Sequence, residues 1–267
     1  MTKNIRILFF GDIFGNPGIN ALENELPKLK KQYDIDFTIA QAENVSGRKG
    51  FVYSDYEKLK KIGIDAFTLG NHVWAKPGVK NIINNADVIR PLNINSHYDG
   101  AGVRFFEIKN KKIAIVSLMG IAFNKLNPPW EEEYANDFFD SIDKIVADKT
   151  IDHIFIDFHA ETTSEKNVLA LYLDGKVDAI VGTHTHVQTN DARILDNGTA
   201  FITDVGMVGP INSAIGANFE QVYNKMRFDK YEKFKVSTNP SQINGIIISL
   251  GKKNKIIKIL NYLPEAK

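Results

Sequence analysis

The sequence predicts a layered α/β fold, with helices on the outside of one or two β-sheets. Short apolar runs rich in β-branched and aromatic residues alternate with helix-like stretches along most of the chain, and hairpin signals follow towards its end. The 267 residues show no break in composition that would separate two domains. We therefore expect one domain that spans residues 1–267.

The first part of the chain is predicted to run βαβαβ. The strands, each a short apolar run that stops near a glycine or a polar residue, are residues 5–10, 37–40 and 66–69. The helices between them are residues 20–33 and 55–62. Pro27 lies inside the first of these helices and is expected to kink it.

The remainder of the chain is predicted to add further strands, helices and hairpins. The hairpins pair residues 103–108 with 113–118, 193–195 with 200–202, and 245–250 with 256–260. The other predicted elements are helices at 138–146 and 164–173 and strands at 154–158 and 179–181. Ser164 is the expected N-cap of its helix.

Composition excludes several classes of protein. The absence of cysteine rules out disulfides, thiolate nucleophiles and cysteine-ligated zinc or iron–sulfur centres. The 33 Lys and Arg residues nearly balance 32 Asp and Glu, so the formal net charge is +1 and gives no global reason to expect a nucleic-acid or membrane binder. No GxxxxGK[ST] or GxSxG motif is present, which excludes a P-loop and disfavours an α/β-hydrolase.

The N-terminal segment MTKNIRILFF holds too short an apolar run for a secretory signal. No stretch of about 18 apolar residues predicts a transmembrane helix. The expectation is a cytoplasmic protein without a membrane partner.

Polar residues follow the apolar strands at the point where five of them end. These residues are Asp12, Glu43, Asn44, Asn71, His72, His159, His184 and His186. Because the carboxyl ends of parallel strands meet at one edge of a sheet, and ligands bind there, we expect these side chains to form one site.

The residue types at this edge predict a metal centre. Carboxylates, carboxamides and imidazoles form a nitrogen and oxygen donor set, which suits iron, manganese, zinc or cobalt better than calcium or magnesium alone. The set is too large for one tetrahedral ion and suits two ions that share a carboxylate. Two divalent ions outweigh the charges of Asp12 and Glu43, which leaves a cationic site for an anionic phosphoryl group.

The late sequence THTH supplies two of these histidines. On an extended segment residues i and i+2 share a face, so His184 and His186 can point into one site. Taken alone, such a pair could equally be two histidines of the surface or the core. Because it follows a strand end, and His159 lies at the end of another strand, a metal-binding role is favoured. The two other histidines, interpreted as structural or surface residues, are His97 and His153.

Other members of the set have simpler alternatives. Asp12 alone could cap a helix, and Asn44 could serve a turn. For Asn71 and His72 to reach the same site, the strand must end before them, because successive side chains of a strand point to opposite faces. We expect Gly70 to supply that turn.

The order of these motifs resembles that of the calcineurin-like metallophosphoesterases, and within them the YmdB-type branch. The motifs are GDIFGNPG, AENVSGRKG, LGNHVW, DFHAETTSEK, VGTHTHVQT and TDVGMVGP, spread over nearly the whole chain. Two departures from the wider family narrow the resemblance. The usual D-x-H opening is DIF at residues 12–14, and the usual GDxxD is AEN at residues 42–44.

The resemblance implies a two-sheet α/β/β/α sandwich with two metal ions, iron or manganese, with zinc as an alternative. One ion would take Asp12, Glu43, Asn44 and His186. The other would take Glu43, Asn71, His159 and His184. Glu43 would bridge the ions, and His72 would be the proton donor.

The same resemblance implies a phosphodiesterase of the 2′,3′-cyclic-nucleotide 2′-phosphodiesterase type, with 3′,5′-cyclic nucleotides as further substrates. A bridging hydroxide would attack phosphorus while His72 protonates the leaving oxygen. The alternatives are a metal-binding regulatory or RNA-associated protein with little turnover, and a phosphatase or nuclease of the same superfamily. Residues 208–238 could form a lid or a contact in a homo-oligomer. RNA remains a possible partner, although the near-neutral net charge of the chain gives no indication of it.

Overall fold

Two β-sheets lie face to face at the centre of the protein, with helices against their outer faces. The structure is a computed structural model that describes residues 4–264. The ends of the expected 1–267 domain, residues 1–3 and 265–267, lie outside the described residues, as does the start of the N-terminal segment. The predicted α/β/β/α arrangement is confirmed.

The predicted elements occur in the predicted order within residues 4–264. The helices are α1 (Gly15–Tyr33), α2 (Tyr53–Ile62), α3 (Phe138–Val146), α4 (Thr163–Leu173) and α5 (Phe219–Phe228), with a 3₁₀ helix at Pro77–Asn81. The strands are β1 (Ile5–Phe10), β2 (Asp12–Ile13), β3 (Phe37–Gln41), β4 (Ala66–Thr68), β5 (Val88–Ile89), β6 (Val103–Ile108), β7 (Lys111–Met119), β8 (His153–His159), β9 (Ala179–Thr183), β10 (Arg193–Ile194), β11 (Ala200–Ile202), β12 (Met207–Pro210), β13 (Ser241–Leu250) and β14 (Lys255–Tyr262). To the predicted elements the structure adds β2, β5, β12, α5 and the 3₁₀ helix.

The first sheet has the order β2-β12-β13-β1-β3-β4-β5, and β14 pairs with β13. Strands β1, β3, β4 and β5 are parallel, whereas β13 runs antiparallel to β1. The second sheet has the order β10-β11-β9-β8-β7-β6, with a parallel centre from β7 to β11. The carboxyl ends of the parallel strands in both sheets therefore define the edge at which a ligand is expected.

Strand β1 shows how the layers form. Ile7 and Phe9 point between the two sheets, where Phe9 stacks on Phe155 of β8. Leu8 and Phe10 point the other way, into the core shared with α1 and α2. Both faces are buried, which is why the strand appears in the sequence as a continuous apolar run rather than an alternating one.

The three predicted hairpins are confirmed as antiparallel pairs β6–β7, β10–β11 and β13–β14. The predicted N-cap of α4 is wrong. Helix α4 begins at Thr163, and its N-cap is Thr162 rather than Ser164, because the Thr162 hydroxyl accepts a hydrogen bond from the Glu165 backbone N–H at 3.3 Å. None of the helices in the described part of the chain is both long and apolar enough to cross a bilayer.

Helix α1 begins at Gly15, five residues before the predicted start, and continues through Pro27. Pro27 is exposed, and so is Glu23, whose carbonyl oxygen loses its helical partner because proline has no N–H. Water can bind that carbonyl, so the helix tolerates the proline at a cost in free energy.

Replacing Pro27 by alanine should stabilise the protein. The variant restores the backbone N–H and removes the clash of the proline ring with the preceding turn. Part of the resulting gain in the free energy of unfolding is lost, because the unfolded chain becomes more flexible without the proline. We expect the free energy of unfolding to rise by about 2 kcal/mol in urea titrations. Lys28→Ala, on the next exposed position, is the control and should change it by less than about 0.5 kcal/mol. An unchanged or lowered stability of Pro27→Ala would contradict this account.

Candidate metal centre

The eight side chains expected at the site lie together at the edge where the two sheets meet. The ends of β3, β8 and β9 bring Glu43, His159 and His184 to one place, and their nearest donor atoms lie within 4.8 Å of one another. The other residues are connected to these by hydrogen bonds or line the same cavity: Asp12, Asn44, Asn71, His72 and His186.

Glu43 is the centre of the arrangement. Its carboxylate is 1% exposed, and Oε2 accepts hydrogen bonds from the backbone N–H groups of Gly70 and His72, both at 2.7 Å. The other oxygen, Oε1, is buried and accepts no hydrogen bond, although His159 Nε2 lies only 2.9 Å away. A buried carboxylate oxygen without a hydrogen bond is costly, so Oε1 is the atom available to bind a cation.

The Nε2 atom of His159 faces three polar atoms at once. Glu43 Oε1, Asn71 Oδ1 and His184 Nδ1 each lie 2.9 Å from it. An imidazole nitrogen carries at most one proton, so it cannot satisfy all three neighbours. Donor atoms that converge without enough protons between them are the arrangement expected around a metal ion.

A second group lies beside the first. Asn44 Nδ2 donates to Asp12 Oδ1 at 3.1 Å and lies 3.3 Å from His186 Nε2. The other oxygen of Asp12 accepts the backbone N–H of His184 at 3.1 Å, which connects the two groups. As a ligand, Asn44 would have to turn its amide so that Oδ1 faces the ion, since the NH₂ group has no lone pair to offer.

Each of the three histidines has one ring nitrogen directed at an acceptor outside the cluster. The contacts are His184 Nε2 to Glu161 Oε2 at 2.9 Å, His186 Nδ1 to the Ile215 carbonyl at 2.8 Å, and His159 Nδ1 to Thr183 Oγ1 at 3.0 Å. Such contacts fix the ring orientation and leave the other nitrogen as the ligand.

The backbone at His184 and His186 differs from the prediction. Strand β9 ends at Thr183, and the two histidines have positive φ angles of 102° and 65°. They converge because the chain turns through the left-handed region, and not because alternate residues of an extended segment share a face. That conformation costs about 1–3 kcal/mol for each residue, so the surrounding structure must hold it.

A buried ion pair holds this loop. Lys166 of α4 lies 2.8 Å from Asp204 Oδ2, and both side chains are 1% exposed. The same oxygen accepts the N–H of Thr185 at 3.1 Å and its hydroxyl at 2.8 Å, while Oδ1 accepts the N–H of Gly206 at 2.8 Å. Asp204 therefore fixes the residue that lies between the two histidines.

Asp157 is connected to the centre through hydrogen bonds. Its carboxyl group accepts hydroxyl hydrogen bonds from Thr68 of the first sheet at 2.5 Å and from Thr183 of the second at 2.7 Å. The Thr183 hydroxyl also lies 3.0 Å from His159 Nδ1, so the carboxyl helps to position that ring through one hydroxyl. Burial raises the pKa of Asp157 to about 7, against the opposing effect of His159.

The turn that carries Asn71 and His72 also differs from the prediction. Strand β4 already ends at Thr68, and Gly70 is needed for space: a Cβ there would lie 2.2 Å from the His159 ring. The indole N–H of Trp130 donates to the Asn71 carbonyl at 2.8 Å and holds the turn from the other side.

The charges at the centre follow from burial and mutual contact. Burial opposes ionisation of Glu43 but the charge of His159 outweighs it, so the pKa of Glu43 falls to about 2. Burial also opposes protonation of His159, and Glu43 outweighs it, which raises the pKa of His159 to about 9. Burial and the charge of His159 lower the pKa of His184 to about 3. The ion-free centre thus holds a proton on His159 and a neutral His184.

The two histidines interpreted as structural or surface residues lie outside the cluster. His153 Nδ1 lies 2.9 Å from Asp178 Oδ1 at the opposite end of β8. His97 is half-exposed, contacts Glu131 at 3.2 Å and packs on Tyr98.

Several residues that support the centre were not singled out from the sequence: Asp157, Glu161, Lys166, Thr183, Asp204 and Trp130. One signal for Lys166 was present. It occupies a position on the buried face of α4 with Leu169, Ala170 and Leu173, where a lysine is rare unless it is paired.

Replacing Lys166 by methionine should destabilise the protein, because it leaves Asp204 buried without a counter-charge. We expect a loss of about 3–5 kcal/mol in the free energy of unfolding, measured by urea denaturation. Lys28→Met breaks an exposed pair with Glu25 and is the matched control, with an expected loss below about 1 kcal/mol. Equal losses in the two variants would show that the Lys166–Asp204 pair does not anchor the loop. The double change Lys166→Met with Asp204→Leu should recover part of the loss.

The chain is similar to known proteins over nearly its whole length. The family model described as "YmdB-like protein" matches residues 8–261. The 2′,3′-cyclic-nucleotide 2′-phosphodiesterase of Bacillus subtilis is 39% identical over 254 residues, which cover 94% of this chain and 93% of that protein.

Solved structures show the same fold. A phosphatase from Mycoplasma pneumoniae superposes with a TM-score of 0.91 at 37% identity, covering 98% of this chain and 95% of that one. The NAD nucleotidase of Haemophilus influenzae shares the fold at 14% identity, with a TM-score of 0.62 over 97% of this chain and 50% of its own. The resemblance carried by the sequence motifs is confirmed: the chain belongs to the YmdB-like protein family, within the metallophosphoesterases.

Proposed function

We propose that the protein is a metal-dependent phosphodiesterase that opens cyclic nucleotides, with 2′,3′-cyclic nucleotides as the first class and 3′,5′-cyclic nucleotides as the second. The observation that carries this proposal is the convergence of three atoms on His159 Nε2, namely Asn71 Oδ1, His184 Nδ1 and Glu43 Oε1, the last a buried oxygen that accepts no hydrogen bond. The name of the Bacillus subtilis relative supports the substrate class.

The donor set fits two metal ions. One ion would be held by Glu43, Asn71, His159 and His184. The other would be held by Asp12, Glu43, Asn44 and His186. Oxygen and imidazole donors without sulfur favour iron or manganese, with zinc as an alternative. Because backbone N–H groups already donate to Glu43 Oε2, Oε1 is the Glu43 oxygen that remains available to hold a metal ion.

Two bound ions would supply an activated water and neutralise charge on the phosphoryl group. The protein's own groups do the rest. Asp12 and Glu43 bring two negative charges to a cluster otherwise made of neutral amides and imidazoles, so the loaded site stays cationic. Arg48 and Lys49 line the same cavity and add positive charge for an anionic substrate.

His72 is the proposed general acid. Its backbone N–H is held by Glu43, and its side chain lines the cavity above the centre. Burial lowers the pKa of His72 in the free protein, against the effect of Glu43, and Lys49 lowers it further. A phosphoryl anion bound beside the ring favours the imidazolium, so the proton is present when the leaving oxygen needs it.

Replacing His72 by alanine should leave metal binding intact and slow turnover. We expect kcat for 2′,3′-cyclic AMP to fall by roughly 10²-fold or more, because a positioned general acid contributes about that much. Asp12→Ala and His184→Ala should instead lower the metal content measured by elemental analysis. His97→Ala is the control and should change neither quantity. Unchanged turnover in His72→Ala would remove it from the reaction. Metal binding without turnover of any phosphoester by the native protein would favour the regulatory alternative.

Metal binding should release protons near neutral pH. In the ion-free protein His159, with a pKa of about 9, carries a proton, and contact with Asp12 raises the pKa of His186 despite its burial. A histidine ligand must lose that proton when the ion binds. Calorimetry at pH 7 in buffers of different ionisation enthalpy should detect at least about one proton released per protein, and the number should fall as the pH rises past about 9.

His153→Ala should release the same number of protons, since His153 lies away from the centre. A buffer-independent heat at pH 7 would mean that His159 is not a ligand.

A further inference from the structure

Two cavities open on either side of His72. The first has a volume of about 240 Å³ and the second about 250 Å³. His72 and Lys49 line both of them, and no other residue does. The proposed proton donor therefore stands at a boundary between two spaces of nearly equal size.

The first cavity reaches the metal centre directly. Glu43, His184 and His186 form its floor, and Phe14 and Ile215 form an apolar wall. A cyclic nucleotide has its phosphorus and its leaving oxygen on the same ribose, so opening its ring requires space for one nucleoside only.

The second cavity has a different lining. Leu126, Pro128, Pro129 and Trp130 line one side of it, and Asn71 connects it to the centre. Trp130 is 8% exposed and cannot turn freely, because its indole N–H is bonded to the Asn71 carbonyl. Pro128 and Pro129 are exposed beside it, and fixed ring edges and faces next to a phosphate site suit contact with a nucleobase.

The charges favour an anion between the two cavities. Lys125, in the lining of the second cavity, is paired with Glu133. Within residues 4–264 Lys49 forms no ion pair or hydrogen bond, and the second cavity is lined by no carboxylate. An unpaired ammonium at the boundary is placed to attract the phosphate of a ligand that extends into both spaces.

We infer that the site also hydrolyses linear phosphodiesters, with one nucleoside in each cavity and the phosphate between them beside His72 and Lys49. This inference rests on the proposed phosphodiesterase function. Water supplies the oxygen that bonds to phosphorus, the P–O bond to one nucleoside breaks, and that nucleoside leaves as an alcohol with a proton from His72. The products are a phosphomonoester and an alcohol, and no oxidation or reduction occurs.

The first test compares substrates on the metal-loaded native protein. Thymidylyl-thymidine is the linear substrate, since it lacks a 2′-hydroxyl and cannot cyclise, and 2′,3′-cyclic AMP is the cyclic one. Hydrolysis of both supports the inference. Hydrolysis of the cyclic substrate alone overturns the inference and leaves the proposed function standing. Hydrolysis of neither, in protein with verified metal content, overturns both.

The second test narrows the second cavity. Ala75 and Asn127 line it and are exposed, so Ala75→Phe and Asn127→Trp add bulk there without disturbing the core. We expect either variant to lower the ratio of kcat/KM for the linear substrate to that for the cyclic one by about tenfold or more. Ala147→Phe, at the exposed end of α3, is the matched control and should keep the ratio. An unchanged ratio in both cavity variants overturns the inference.

The third test measures binding without turnover. Trp130 and Trp74 are the two tryptophans of the chain, and their rings are 6.1 Å apart. In the presence of a chelator, thymidylyl-thymidine should quench their fluorescence, and Lys49→Met should raise its Kd by about tenfold while Lys49→Arg restores it. Binding of the dinucleotide without any change in tryptophan fluorescence would place its second nucleoside elsewhere and overturn the inference.

Discussion

Burial of charged side chains between two sheets is the constraint on which the rest of the structure depends. A carboxylate taken out of water costs several kcal/mol unless it is paired. Asp204 is paired with Lys166, and Asp157 is bonded by two hydroxyl groups and has a raised pKa. Glu43 accepts hydrogen bonds on Oε2 only, and its other oxygen, Oε1, contacts the ring of His159 without a hydrogen bond. Oε1 is therefore the buried oxygen at which a bound cation would stabilise the fold most.

The donors around His159 come from both sheets. Glu43 and Asn71 follow strands of the first sheet, whereas His159 and His184 belong to the end of the second. An ion held by all four would cross-link the sheets. The hydrogen bond from Thr68 of the first sheet to Asp157 of the second already connects them nearby. Ligand binding and the packing of the two sheets are thus coupled, because whatever binds only the folded arrangement also stabilises it.

The layers, and the side chains that lie together where the strands end, could be predicted from the sequence, because both follow from local patterns. Apolar runs that stop at Asp12, Glu43 or His159 mark strand ends wherever the strands lie in space. The reasons for local geometry could not be predicted this way. Gly70 is required by the ring of His159, and the turn at His184 and His186 is held by Asp204, so both depend on contacts between segments far apart in the chain.

The position of β13 has a consequence for how the protein is made. This strand, Ser241–Leu250, lies between β1 and β12 in the first sheet, and β12 pairs with the short strand that carries Asp12. A ribosome releases the N-terminal strands first, so one edge of β1 has no partner until residues 241–250 have emerged. Asp12 is synthesised early, but the strands that hold its segment in the sheet are synthesised late. The cluster around Asp12 is therefore completed only after residues 241–250 have emerged, and the nascent chain exposes an open strand edge until then.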